Sequence, residues 1–306
     1  MFNCAARKAI ASHYAGISKD NVVVGNGSTE LIYLFAEAFM QKGDVALVPA
    51  PSFGEYENAV KKTGEKVKYV RLGRDFKAEP NSFSRAMTGQ AKILYFCNPN
   101  NPTSILTSPE KLSEIIQQAL EKDILVFLDE DFLEFVEGEE KLSMIGRIRE
   151  FPNLFVLRSF TKIFGLTGLR IGYGIASEEI TSILMNAKLP WNVNCLGQTA
   201  AITALNDKEH LKKTLDLVRE EKAFLLKGLT QFKTFKVYPP DSNFIFMDIR
   251  KSGFTAPQLK GQMLNRGVLI RDCSSFAGLD EYYIRVAVKT RPENERLLSA
   301  LKESVG

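Results

Sequence analysis

The stretch Ile124-Leu125-Val126-Phe127-Leu128-Asp129 is an unbroken apolar run that ends in a carboxylate, which is typical of a fully buried strand in a parallel sheet. Predicted helices separate it from other short apolar or β-branched runs. These further predicted strands cover residues 22–24, 45–48, 66–71, 93–97 and 154–157. The alternation of such strands with helices predicts an α/β fold, in which helices cover both faces of a mostly parallel sheet.

The pattern changes near Lys208. Residues 209–232 predict one long charged helix, because leucine and valine recur on one of its faces. A helix from Ala256 and four short strands follow, the strands at residues 236–238, 243–249, 268–271 and 283–288. We therefore predict a large domain at residues 1–207 and a smaller α+β domain at residues 208–306.

The composition excludes several classes of protein. A net charge of +4 over 306 residues is too small to indicate a nucleic-acid or membrane-surface partner, and no apolar run reaches the ~18–20 residues that span a bilayer. The four cysteines are scattered and only two histidines are present, so we expect neither disulfides nor a metal site. Residues 1–4 lack the features of a signal peptide, and we expect a cytoplasmic protein.

Polar residues occur at the predicted carboxyl ends of the strands, where parallel α/β sheets bind their ligands. The stretch Gly25-Asn26-Gly27-Ser28-Thr29 lies between a strand and a helix, where glycines and free backbone N–H groups favour a phosphate. A capped turn explains the same residues. A dinucleotide fingerprint fits poorly, because Glu30 stands at its third glycine, and no P-loop Gly-Lys-Ser/Thr follows.

An acid and a lysine follow two later strands. Asp129 is either desolvated and paired or exposed at the mouth of a site, and residues 130–131 beside it also allow a solvated acidic turn. Lys162, in Ser159-Phe160-Thr161-Lys162, is followed by Arg170. A lysine beside an anion site and a buried acid suits a Schiff base to pyridoxal phosphate, although a loop lysine is usually a surface charge.

Taken together, these motifs resemble those of fold-type I pyridoxal-phosphate enzymes, in the branch of histidinol-phosphate aminotransferase and threonine-phosphate decarboxylase. They are Gly25-Asn26-Gly27-Ser28-Thr29-Glu30, Asn98-Pro99-Asn100-Asn101-Pro102-Thr103, Asp129-Glu130, Ser159-Phe160-Thr161-Lys162 and Gly168-Leu169-Arg170. The resemblance covers nearly the whole chain. It implies pyridoxal phosphate as cofactor, the type I fold with its large cofactor-binding domain, a small phosphorylated amino-acid substrate and a homodimer.

The resemblance also implies a role for each residue. Lys162 would form the Schiff base and move protons at the substrate α-carbon, and Asp129 would keep the pyridine nitrogen protonated. Asn101 would bind the ring hydroxyl, and Phe53 would stack on the ring, although Phe53 is also explained as core. The residues expected to hold the phosphate are Ser28, Thr29, Ser159, Thr161 and Arg170, with Gly27 among the cofactor-binding residues.

Two arginines in the C-terminal part would bind the substrate. Arg285 would hold its carboxylate and Arg271 its distal phosphate, although each is also explained as a rim charge. Three departures from the family pattern stand out. Phe132 replaces a tyrosine and Ser104 replaces a glycine. Relatives also carry an N-terminal arm and a strand, which usually close the active site, before the segment that here begins near Ala5, and we expect this region to be missing.

The same residues would serve decarboxylation and transamination, since the orientation of the breaking bond decides between them. Residues 158–162, 190–194 and 270–276, together with Phe132, resemble the decarboxylase, whereas residues 165–170 are closer to the aminotransferase. On these residues, our hypothesis is decarboxylation of O-phospho-L-threonine to (R)-1-amino-2-propanol phosphate, a step of cobalamin synthesis. The alternatives are histidinol-phosphate aminotransferase, which uses 2-oxoglutarate, and a non-catalytic protein that binds pyridoxal phosphate.

Overall fold

The computed structural model describes residues 4–305, so the expectation about the first residues of the chain falls largely outside it. Seven strands form a large sheet and four form a small one. The strands are β1 (Val22–Gly25), β2 (Val45–Ala50), β3 (Lys66–Arg71), β4 (Ala91–Cys97), β5 (Leu125–Asp129), β6 (Leu154–Ser159), β7 (Gly172–Ala176), β8 (Lys236–Val237), β9 (Phe244–Asp248), β10 (Arg271–Asp272) and β11 (Tyr283–Ala287). The large sheet has the order β1-β7-β6-β5-β4-β2-β3, and the small one β10-β11-β9-β8.

Helices cover both faces of the large sheet, as the continuous apolar strands predict. The helices are α1 (Cys4–His13), α2 (Ser28–Phe39), α3 (Glu55–Thr63), α4 (Pro80–Ala86), α5 (Pro109–Leu120), α6 (Glu139–Leu142), α7 (Glu178–Ala187), α8 (Cys195–Asn206), α9 (Lys208–Leu229), α10 (Ala256–Asn265) and α11 (Arg291–Val305). Within β5, Val126 and Leu128 pack into the core beneath α1, α4 and α5, while Phe127 packs beneath α2, α3 and α7. The α/β prediction is therefore confirmed.

The direction of the strands brings the polar loops together. Strands β2 to β6 are mutually parallel, so Cys97, Asp129 and Ser159 end neighbouring strands at one edge of the sheet. Strand β7 runs antiparallel to both β6 and β1, which sends the loop after β1 to the same edge. Sequence reasoning missed β7 because of its glycines. A Cβ at Gly174 would lie 1.9 Å from the Phe155 ring, so only glycine fits there.

Helix α9 connects the two sheets. Leu211 and Leu215, near its start, pack on the core of the large sheet, whereas Leu225 and Leu229, near its end, lie in the core of the small sheet. The division between residues 207 and 208 stays a prediction. The bounds of the strand predicted at residues 268–271 are wrong, since β10 begins only at Arg271. Among residues 4–305, no helix is both long enough and apolar enough to cross a membrane.

Candidate active site

A cavity of about 170 Å³ opens at the edge of the large sheet where the parallel strands end. Eight residues predicted for the site line it: Ser28, Thr29, Phe53, Asn101, Asp129, Thr161, Lys162 and Arg170. Its remaining walls are Cys97, Asp131, Phe132 and Thr167. Two more predicted residues, Gly27 and Ser159, contact this lining from behind, and Arg271 and Arg285 line a second cavity. We call these the first and the second cavity.

Asp129 is the buried acid of the first cavity, with 4% of its surface exposed. Its Oδ2 accepts a hydrogen bond from the Tyr56 hydroxyl at 2.6 Å, and its Oδ1 accepts one from the backbone N–H of Asp131 at 2.9 Å. Burial raises the pKa of Asp129, and the Tyr56 hydrogen bond opposes this rise. Both hydrogen-bond donors are neutral, so a cation brought into the cavity would find a carboxylate ready to pair with it.

The start of α2 and Arg170 form the anion-binding end of the first cavity. Gly27 precedes α2 with a φ of +81°. Because glycine has no side chain, the first amides of the helix have no side-chain cap at this position. A Cβ at Gly27 would come within 2.4 Å of Arg170 Nη2, so glycine is required to leave the guanidinium in place. Arg170 donates a hydrogen bond to the Thr167 carbonyl oxygen at 3.1 Å. Free amides beside a guanidinium are a phosphate-binding arrangement.

The loop after β6 places a further hydroxyl at this end. Ser159 is fully buried, and its Oγ lies 2.7 Å from the Thr161 hydroxyl oxygen. The same Oγ accepts a hydrogen bond from the Thr161 backbone N–H at 3.0 Å. Ser159 therefore positions Thr161, and it is Thr161 that lines the cavity.

Lys162 stands where the two cavities meet, since it lines both. Its Nζ lies 5.1 Å from the centre of the Phe132 ring, which also borders both cavities. Phe132 in turn packs edge-on against Phe244, with 4.9 Å between the ring centres. The wall beside the amine is thus aromatic and carries no hydroxyl, as the departure from tyrosine at this position implies.

The second cavity has a volume of about 410 Å³, and all the charged side chains in its lining are cations. Arg271 and Arg285 lie opposite each other on the antiparallel strands β10 and β11, and Lys260 joins them from α10. Among residues 4–305, no aspartate or glutamate lines this cavity. The Arg285 guanidinium donates a hydrogen bond to Asn101 Oδ1, which links the second cavity to the first. Cations without counter-charges select an anionic ligand.

Sequence reasoning missed Asp131 and Lys260. It allowed residues 130–131 to be a solvated turn, but Glu130 and Asp131 are buried, with 0% and 7% of their surfaces exposed. The signal in the sequence was that Asp129 and Asp131 lie two residues apart, as residues on one side of an extended chain do. Both line the first cavity, while Glu130 points to the other side. Lys260 lies on an ordinary polar helix and gave no signal in the sequence.

Glu130 belongs to a buried ionic cluster around Arg158, which we call the Arg158 cluster. The guanidinium of Arg158, with 1% of its side chain exposed, lies 2.9 Å from Glu130, 3.4 Å from Glu134 and 3.0 Å from Glu139. The second oxygen of Glu134, Oε2, is buried without a hydrogen-bond partner among residues 4–305. Burial raises the pKa of Glu134 to about 8.

The residues of the first cavity fit pyridoxal phosphate. An anion-binding end, a buried acid and an amine correspond to the phosphate, the ring nitrogen and the aldehyde of that group. Asn101 and Phe53 lie in the same lining. Since Asn101 Oδ1 accepts from Arg285, its amide N–H₂ is the part left to donate to a ligand. Bound in this way, the group would present its aldehyde toward Lys162.

The fold and this donor set define the chain as a pyridoxal-phosphate-dependent enzyme of fold type I. It belongs to the family "Aminotransferase class I and II", whose model matches residues 3–301. Membership of an enzyme family replaces the alternative of a non-catalytic protein. The recognition of the family, the fold class and the cofactor expected from the sequence are thereby confirmed.

Three similar proteins narrow the comparison. A histidinol-phosphate aminotransferase from Methanosphaera stadtmanae is 35% identical over 294 residues, which are 95% of this chain and 78% of the relative. The crystal structure of the histidinol-phosphate aminotransferase from Clostridium acetobutylicum has a TM-score of 0.91 at 30% identity, covering 98% of this chain and 88% of that one. For L-threonine-O-3-phosphate decarboxylase from Porphyromonas gingivalis the TM-score is 0.85 at 27% identity, with 98% and 88% covered.

The hypothesis of phosphothreonine decarboxylation is wrong on these findings. Curated relatives at 32–36% identity, over nearly the whole chain, are named histidinol-phosphate aminotransferases. Part of what favoured the decarboxylase, Phe132 and the loop at residues 158–162, lies around the first cavity. Both reactions need that cavity, so its residues do not discriminate between them.

Proposed function

We propose that this protein transfers the amino group of histidinol phosphate to 2-oxoglutarate. The observation that carries the proposal is the position of Lys162 between a cavity that fits the cofactor and a cavity lined by cations. Histidinol phosphate carries a phosphate and 2-oxoglutarate carries two carboxylates, so both suit the second cavity. The names of the curated relatives support the same substrate.

Within this proposal, the predicted residues of the first cavity bind and orient the cofactor. Bound pyridoxal phosphate supplies an aldehyde that joins to amines and a ring that withdraws electrons from the bonds at the attached carbon. Asp129 holds a proton on the ring nitrogen, because its carboxylate needs a cationic partner in a buried site. Gly27, Ser28, Thr29, Thr161 and Arg170, positioned in part by Ser159, hold the phosphate, while Phe53 and Asn101 orient the ring.

Lys162 is the proposed base of the reaction. Its amine lines both cavities, so Nζ can take a proton from the amine-bearing carbon of a substrate that extends from the second cavity into the first. Arg285 is the more enclosed of the two arginines, and burial lowers its pKa. We assign it to a carboxylate of the oxo acid and its glutamate product, and Arg271, at the exposed side, to the distal phosphate.

The reaction is tested with two substrates in parallel. Purified protein with pyridoxal phosphate is given histidinol phosphate and 2-oxoglutarate, and glutamate is measured with glutamate dehydrogenase. A second sample receives O-phospho-L-threonine, and release of carbon dioxide is measured. We expect glutamate in the first sample and no carbon dioxide in the second. Carbon dioxide without glutamate would overturn the proposal.

We propose further that the protein acts as a homodimer through the segment that follows α7. Leu189, Trp191 and Leu196 are 74%, 74% and 70% exposed, which concentrates large apolar surface in eight residues. Such patches mark contact surfaces. The patch adjoins the active site, since Asn192 donates to Glu30, next to the phosphate end. Light scattering should show a dimer, and Leu189→Ser with Leu196→Ser should yield monomers; a monomeric wild-type protein would contradict the proposal.

A further inference from the structure

Asp131 is a second carboxyl group in the first cavity for which the proposed function has no use. It is 7% exposed and lines the cavity between Asp129 and the phosphate end. Its Oδ2 lies 3.4 Å from the hydroxyl oxygen of Ser28. Its Oδ1 is buried and has no hydrogen-bond partner within the described part of the chain. A carboxyl with one oxygen unpaired inside a ligand cavity requires an explanation.

The contact with Ser28 creates a competition for one proton. A serine hydroxyl has a single hydrogen to donate. When Asp131 is a carboxylate, it accepts that hydrogen, and Ser28 has none left to offer to a phosphate. When Asp131 is protonated, it can itself donate to Ser28 Oγ, and the serine hydrogen is free to point at the phosphate. The charge of Asp131 acts in the same direction, because a carboxylate repels a phosphate.

The groups around Asp131 place its proton within reach of ordinary pH. Burial, together with the neighbouring charge of Asp129, raises the pKa of Asp131 to about 7, and Lys162 opposes this rise. Arg158 faces it from β6 and also lowers its pKa, Glu134 faces it from the following turn, and Arg170 lies in the same cavity lining. The balance of these charges leaves both protonation states accessible.

We propose that Asp131 makes the affinity of this site for the cofactor phosphate dependent on pH, because it competes with the phosphate for the hydroxyl hydrogen of Ser28. The neutral carboxyl permits tight binding, and the carboxylate loosens it. This inference rests on the assignment of the first cavity to pyridoxal phosphate. It concerns cofactor retention and is independent of which amine the enzyme uses.

The test compares the wild-type chain with Asp131→Asn, which keeps the shape of the side chain but cannot ionise. The dissociation constant of pyridoxal phosphate is measured by equilibrium dialysis from pH 6 to pH 8, without substrate. We expect the two proteins to bind alike near pH 6 and the wild type to bind about tenfold more weakly than the variant at pH 8. Titration of the cofactor's own phosphate cancels in this ratio.

Pyridoxal, which lacks the phosphate, provides the matched control. We expect no pH-dependent difference between the two proteins for pyridoxal, and a smaller one for pyridoxal phosphate when both carry Ser28→Ala. If Asp131→Asn fails to fold, Asp131→Ser replaces it. A ratio that stays constant with pH would overturn the proposal, and so would an equal change with pyridoxal. Absence of glutamate formation together with the expected binding ratio would overturn the proposed function alone.

Discussion

The segment Asp129-Glu130-Asp131 separates two charged regions that are organised in opposite ways. On one side, the first cavity holds Asp129, Asp131 and Lys162 without an ion pair between any two of them at 4 Å or less. On the other side, in the Arg158 cluster, one guanidinium contacts three glutamates. A chain rarely leaves buried charges unpaired, so the unpaired side is the side built for a ligand and the paired side is the one built for the fold.

The largest effect that separates the two regions is expected from Lys162→Ala. Loss of the proposed base should lower kcat for glutamate formation by about 10²–10⁴-fold. The unfolding free energy should change little, because the side chain is exposed at the junction of the cavities. Turnover measured beside urea denaturation checks both points, with the exposed Lys213→Ala as control. A variant that retains wild-type turnover would show that Lys162 is not the base.

Arg158→Met should produce the opposite result. It leaves Glu130 and Glu134 buried without their cation, which should lower the unfolding free energy by about 3–5 kcal/mol. The protein that remains folded should keep the wild-type KM for histidinol phosphate and for 2-oxoglutarate, since Arg158 does not line either cavity. Urea denaturation is the measurement, and Arg219→Met, at an exposed ion pair, is the control. Equal stability of the two variants would show that the Arg158 cluster does not stabilise the fold.

Arg285→Gln tests the second cavity. Removal of a guanidinium from an enclosed site should lower kcat/KM for 2-oxoglutarate by about 10–100-fold, equivalent to roughly 1.5–3 kcal/mol. Arg271→Gln should lower kcat/KM more for histidinol phosphate than for 2-oxoglutarate, because Arg271, at the exposed side, is assigned to the distal phosphate. Steady-state kinetics with each substrate varied in turn separates the two arginines. Identical losses for both substrates in both variants would contradict the assignment.

The smallest effect concerns the pH dependence of stability in the Arg158 cluster. The pKa of Glu134 is raised from 4.5 to about 8 in the folded protein. Between these values the unfolded chain releases a proton that the folded chain keeps, so the stability that Glu134 contributes is lost as the pH rises toward 8. Relative to Glu134→Gln, the wild type should lose about 1–2 kcal/mol between pH 6 and pH 8. Urea denaturation curves that shift in parallel would contradict this.

Several parts of this architecture could be predicted from sequence because their signals are local. An apolar strand that ends in a polar residue reports both the sheet and its ligand-binding edge, which is how Asp129 and the loop before Lys162 were found. Strand β7 was missed because glycines are rare in strands, and the reason for these glycines is the close packing of Phe155 and Ser28, which lie far away in the chain. Asp131 was missed because the acids beside Asp129 are buried against partners far away in the chain, Asp131 against Ser28 and Glu130 against Arg158.

The reaction itself could not be predicted from the same residues. Transamination and decarboxylation use one cofactor site, so the motifs that identified the cofactor carried no information about the bond that breaks. That choice depends on how a substrate lies across both cavities. Most of the second cavity comes from β9, β10, β11, α10 and the residues next to them, where residues 270–276 resembled the decarboxylase. Similarity over the whole chain was needed to correct the hypothesis.

Helix α9 has a practical consequence for anyone who wishes to divide this protein. Its first half completes the hydrophobic core of the large sheet, and its second half completes that of the small sheet. A fragment that stops before Lys208 would expose the apolar surface that Leu211 and Leu215 now cover, and the remaining fragment would begin with half a helix lacking its contacts. Crystallisation trials or biosensor designs that cut the chain at this point should therefore give insoluble pieces, and both sheets need to be expressed as one polypeptide.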